Sequence, residues 1–221
     1  MAHVRSCDQC GAMFAPRREH ARFCSARCRV AWNREHARPQ ATEATALDWS
    51  VSTMREVTAR VLRVRAADQV RVVAAVSEAV WWVTIVDATL LRYHAGAYDS
   101  ILAGQSPAQR RLIEGTLAGL RFVRNQMGLH LAPADFIRPA AARPGPDEDR
   151  SPAWIWTSLP EPPLRSLPPS GQAWERTRYR AYQAQLAGHP VGETFGRAAQ
   201  FLTRTAARAD LRHEQQRTAA R

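Results

Sequence analysis

The sequence predicts a mainly α protein: a small cysteine-bound module, then a helical bundle with a proline-rich insertion. Three observations carry that prediction. All four cysteines fall within the first 28 residues. Downstream, apolar residues recur at helical spacing from Thr53 to Gly128 and again from Gln172 to Arg212. Between those runs, residues 132–170 hold ten of the fourteen prolines, which excludes a continuous helix there. A chain of 221 residues has room for one compact domain and a small appendage.

The cysteines read Cys7-x2-Cys10 and Cys24-x3-Cys28, with 13 residues between the pairs. Two close pairs joined by a short loop suit a tetrahedral metal site, each pair supplying half of the shell. Gly11, directly after Cys10, suits a turn that needs positive φ. Two disulfides in an exported domain are the other reading of four cysteines, but residues 1–20 contain no apolar run of the kind an export signal needs. His3, His20 and His36 could each replace a sulfur, yet Cys7, Cys10, Cys24 and Cys28 already close the shell. One structural Zn2+ per chain is the expectation. Phe14, Phe23 and Trp32 offer a minimal core, so metal binding must supply most of the folding energy of this module. A short helix is expected over Ser25 to Ala37, with Pro39 as its stop. The expected domains are therefore residues 1–38 for the zinc module, 39–50 for a polar linker, and 51–215 for the bundle, interrupted by the insertion at 132–170.

Within the bundle, Thr53-x-x-Glu56 has the form of a capping box and predicts a helix to about Arg65. Gln69 to His94 is apolar around most of its circumference, as a central bundle helix must be. Ser106-Pro107-Ala108-Gln109 is a strong helix start, with serine as cap and proline in the first turn, and the helix is expected to run to about Gly128. In the insertion, Trp154-Ile155-Trp156 predicts a short extended piece packed back on the bundle, since exposing two indoles is costly. Two helices follow, about Gln172–Ala187 and Gly192–Arg212.

Net charge is +11, and every one of the 31 basic residues is arginine. Such usage with abundant alanine fits a GC-rich genome, so distribution says more than the total. Residues 1–38 hold eight arginines against three acids, and residues 197–221 hold six against two. Both ends are candidates for contact with phosphate, or for a plain solvated face. The most membrane-like stretch, Val70 to Tyr93, is interrupted by Arg71, Glu78 and Asp87. A soluble cytoplasmic protein with no membrane partner is expected.

Two helix faces carry misfits. On the third long helix, Ile113, Leu117, Leu120, Val123 and Met127 form one stripe, and Arg124 lies within it, about 40° from Leu120 on a helical wheel. His130 sits at the edge of the same arc. On the preceding helix, Asp87 and His94 fall inside the stripe of Val76, Val80, Val83 and Leu90. Inward charges need partners or a function. Asp87 with Arg124 is the expected pair, as a buried register-fixing bridge or as part of a site at a subunit interface.

The run Arg124-Asn125-Gln126-Met127-Gly128-Leu129-His130 resembles the R-x4–6-H signature of HEPN domains, helical bundles that include metal-independent ribonucleases acting as dimers. Phe23-Cys24-Ser25 and Cys28-Arg29, with Cys-x2-Cys-Gly before them, resemble FCS-type and MYM-like zinc fingers. The first resemblance implies a homodimeric, RNA-directed protein of toxin or defence type, paired with an antitoxin or other protein partner. Arg124 would then stabilise charge on the scissile phosphate and His130 would move a proton. Asn125 would orient one of them or contact substrate, with Asp87 on the neighbouring core helix. Arginine and histidine suit those roles chemically, one as a permanent planar cation and the other as a neutral-pH acid or base. The competing expectation is a non-enzymatic zinc-finger regulator or adaptor whose bundle only dimerises.

Overall fold

The computed structural model describes residues 4–16, 21–36, 41–64, 68–127, 131–140, 154–163 and 167–219. They divide into two compact units, Met1–Glu43 and Ala44–Arg221.

The first unit is a hairpin and a helix. Strand β1 (Arg5–Ser6) pairs antiparallel with β2 (Met13–Phe14), Arg5 opposite Phe14. Between them the chain turns tightly: Gly11 donates to the Cys7 carbonyl at 2.9 Å and stands at φ 71°. That conformation strains any residue with a Cβ, which is why glycine follows the first cysteine pair. Helix α1 (Ala26–His36) begins as expected, and Ser25 caps it by accepting from the Cys28 amide at 3.2 Å. Phe23 and Trp32 pack with ring centroids 5.7 Å apart. The Arg22 guanidinium lies over Trp32 at 4.8 Å while holding Asp8 at 2.7 Å. Among the residues of this unit whose burial is described, only Cys7 is buried.

The second unit is a helical bundle. Helix α2 (Ala41–Arg63) starts well before Thr53, so most of the expected 39–50 linker is helical. Thr53 does not cap: its hydroxyl donates to the Trp49 carbonyl inside the helix at 2.9 Å. Leu47, 2% exposed, and the edge-to-face Trp49–Trp82 pair at 5.1 Å tie the added turns to the bundle. Helix α3 (Gln69–Tyr93) matches the expected central helix, with Val76, Val80, Val83 and Leu90 buried. Among the described residues it alone is long and apolar enough to cross a membrane, and half of its most apolar window is covered by protein. Helix α4 (Ala95–Ala103) has no counterpart in the sequence reading; it begins directly at His94, which closes α3. Helix α5 (Pro107–Gln126) starts where the sequence places it, with Ser106 accepting from the Gln109 amide at 3.3 Å.

A 3-10 turn (Pro133–Phe136) leads into β3 (Ile137–Pro139), which pairs antiparallel with β4 (Trp154–Trp156), Ile137 opposite Trp156. The extended Trp-Ile-Trp piece therefore exists. Trp156 is fully buried between Tyr182 and Phe195, at centroid distances of 6.4 and 5.8 Å, and its indole donates to Thr194 at 3.0 Å. Those partners come from α6 (Pro169–Gln185) and α7 (Val191–Ala219).

Helices α5 and α6 pack tightly at Gly119. A Cβ there would stand 2.7 Å from Leu186 Cδ1 and 3.1 Å from the Tyr182 Cα, so glycine allows the contact by being small. Gly119→Ala is expected to destabilise the bundle by about 2 kcal/mol, because the Tyr182 backbone cannot yield as a side chain can. Urea unfolding monitored by far-UV circular dichroism checks this; an unchanged midpoint contradicts it.

Candidate functional site

Two groups of residues carry chemistry, one in each unit. In the first, the Cys7–Gly11 turn and the start of α1 bring Cys7, Cys10, Cys24 and Cys28 together, and all four sulfurs lie within 4.8 Å of one another. The Cys10–Cys24 sulfur distance is 3.7 Å and the Cys24–Cys28 distance is 3.5 Å. A tetrahedral ion with bonds of about 2.3 Å to sulfur, as zinc makes, spaces its ligands about 3.8 Å apart. The donor set thus fits a metal ion, and no cysteine is in a disulfide.

The electrostatics point the same way. Burial pushes the Cys7 thiol up, but backbone amides of Cys24, Cys10 and Gln9 offset that and bring it down to about 6. Cys24 is pushed up to about 12, chiefly by the sulfurs of Cys28, Cys10 and Cys7 and further by burial. Sulfurs this close resist sharing negative charge unless a cation stands among them.

In the second unit the structure corrects the pairing expected of Asp87. The carboxylate is buried, as its place on α3 requires, but its partner is Arg121 rather than Arg124. Arg121 Nε and Nη2 both reach Asp87 Oδ2, at 2.6 and 2.5 Å, and Tyr98 Oη donates to Oδ1 at 3.0 Å. Burial pushes the Asp87 carboxyl up from its ordinary range, and Arg121 and Tyr98 pull it part of the way back. Tyr98 also packs edge-to-face on Phe201 of α7 at 5.0 Å, so this network clamps α3, α4, α5 and α7.

Arg124 does not point inward. It is exposed, one turn beyond Arg121, with its guanidinium 4.8 Å from the ring centroid of Trp81 on α3. The buried arc of α5 is wider than the apolar stripe and turns away from Arg124, toward Gly119, Phe122 and Gln126, because α6 packs there. On α6 a buried acid, Glu175, accepts from Asn125 at 3.1 Å, from Gln126 at 2.9 Å and from Arg178 at 3.3 Å. Asn125 is thereby fixed beside Arg124. His130 lies outside the described residues. His94 is half-buried at the α3–α4 junction.

Sequence reasoning missed Arg121, Glu175 and Trp81. Arg121 had a signal, since it stands one turn before Arg124 and can reach the same neighbouring helix. Glu175 had none, because its partners are 49 and 50 residues away.

Compared with known proteins, the chain matches no family model. No curated protein and no solved structure is significantly similar to it either.

Proposed function

We propose that this chain is an RNA-directed, HEPN-like protein. Its four-cysteine module holds a structural zinc ion and contacts substrate or a protein partner, and its bundle cuts RNA as a metal-independent endoribonuclease. The observation that carries the reading is Arg124. It is a permanent cation exposed on α5 with no carboxylate partner among the described residues, beside an asparagine that Glu175 holds in place. Such a group is free to meet a phosphate.

Zinc suits the cage because four thiolates leave no open position for water, making the metal a support rather than a reactant. In the reaction, the RNA 2′-oxygen attacks the adjacent phosphorus as its proton leaves to a base. The 5′-oxygen departs and takes a proton, leaving a 2′,3′-cyclic phosphate and a 5′-hydroxyl. Arg124 stabilises the extra negative charge as it develops, and His130 moves one of the protons. Asp87 takes no part at the reacting centre in this version; locked to Arg121 and Tyr98, it positions α5.

The test is cleavage of total RNA without added divalent metal. Arg124→Ala is expected to lower the rate by about a hundredfold or more, and His130→Ala similarly, with folding intact. Equal activity in all three proteins refutes the enzyme. A second reading is favoured by the fate of Asp87: with that carboxylate serving the scaffold, the bundle acts only as a dimerisation and binding platform. RNA binding without cleavage would select it.

A further inference from the structure

Trp81 is half exposed, with 52% of its surface open to solvent, in the middle of the long apolar helix α3. Helix α3 has its own core face, so burial does not account for a tryptophan on the outward side. Above the ring stands Arg124, and one turn back on α5 is Arg121, whose side chain is 30% exposed even while it holds Asp87. Helix α5 carries four arginines against a single acid, Glu114, which is occupied by Arg110 at 3.3 Å. An indole with a guanidinium over its ring matches a flexible strand that offers π-faces and phosphates in alternation. Base stacking on aromatic side chains and arginine contact with the backbone are how single strands are held without reading sequence.

We infer that the Trp81–Arg124 pair is a binding site for single-stranded RNA, with Trp81 stacking on one base and Arg124 engaging the neighbouring phosphate. The inference rests on the RNA-directed reading and deepens it, because it places a base beside the phosphate that Arg124 contacts. Duplex RNA keeps its bases stacked inside the helix and offers the indole no free face, so the site discriminates against it. Arg124, with no carboxylate partner among the described residues, favours a polyanion over a protein partner, although an exposed tryptophan beside arginine also suits a protein interface.

The test is fluorescence anisotropy of labelled oligouridylate and of a duplex of equal length, at low salt, with the full chain. Wild type is expected to prefer the single strand. Trp81→Ala is expected to weaken single-strand binding about tenfold while duplex binding changes little, and Trp81→Phe to restore most of the loss. Because the ring is largely outside the core, both variants keep the wild-type circular dichroism. Single-strand affinity unchanged in Trp81→Ala, in a wild type that does bind, overturns this inference and leaves the RNA-directed reading standing. Equal losses for single strand and duplex also overturn it. So does a change in sedimentation mass with RNA affinity intact, which would make the patch a protein interface. A wild type that binds neither RNA overturns both readings.

Discussion

Asp87→Ala is expected to destabilise the helical unit by about 3 kcal/mol. The change strands the half-buried Arg121 guanidinium and the buried Tyr98 hydroxyl at once, and each was satisfied by the same carboxylate. In a double-mutant cycle, Asp87→Ala with Arg121→Ala should cost clearly less than the two single changes summed, because a charge no longer lacks its partner. Arg124→Ala should add to Asp87→Ala without coupling, and should by itself cost about 1 kcal/mol or less, as an exposed cation–π contact does. Urea unfolding of the four proteins checks this, and coupling of Asp87 to Arg124 rather than to Arg121 contradicts it. Asp87→Asn adds a pH signature. The folded carboxyl titrates above its ordinary value of 3.8. Its stability contribution is therefore complete below that value and is lost as pH rises through the higher folded value. Relative to Asp87→Asn, the wild type should lose stability as pH rises above the ordinary carboxylate value of 3.8, and a constant difference would oppose the burial argument.

Loss of the proposed metal should have a larger local effect. Cys24 lies within 3.5 Å of the Cys28 sulfur and 3.7 Å of the Cys10 sulfur, at the middle of the cage. Cys24→Ser is expected to take the zinc-to-protein ratio from about one to near zero and to unfold the first unit, since structural zinc contributes on the order of 10 kcal/mol or more to such modules. Elemental analysis gives the ratio, and limited proteolysis reports the fold, with new cuts confined to the first 40 or so residues. A wild-type protein purified without chelator and found free of metal would defeat the zinc assignment. Since the thiols must lose protons to bind, affinity should rise with pH across the neutral range.

The parts of this molecule that are legible in the sequence are those specified locally. Cysteine spacing, the Ser106-Pro107 start of α5, the apolar girth of α3 and the outline of the last two helices all reside in a few neighbouring residues. Helix α4 escapes because its nine residues are too short for a period to register and no side chain caps its start. The first turns of α2 escape because Leu47 and Trp49 are too few to mark a helix until the bundle that receives them is known. Arg124 is misplaced by the wheel for a related reason. A helical wheel supplies an angle, but which angles are covered depends on where α6 lies, and that is set by Gly119 meeting Tyr182 across 63 positions of chain. The same distance in sequence hides Glu175. The burial of Asp87 is legible, because four flanking apolar residues on one helix define its surroundings without help from elsewhere.

The end group left on RNA cut by the wild-type chain without added divalent metal bears most directly on the proposed reaction. Attack by the 2′-oxygen with Arg124 on the phosphate predicts a 2′,3′-cyclic phosphate opposite a 5′-hydroxyl. Fragments ending in a 3′-hydroxyl, or RNA left intact by folded protein, would contradict it.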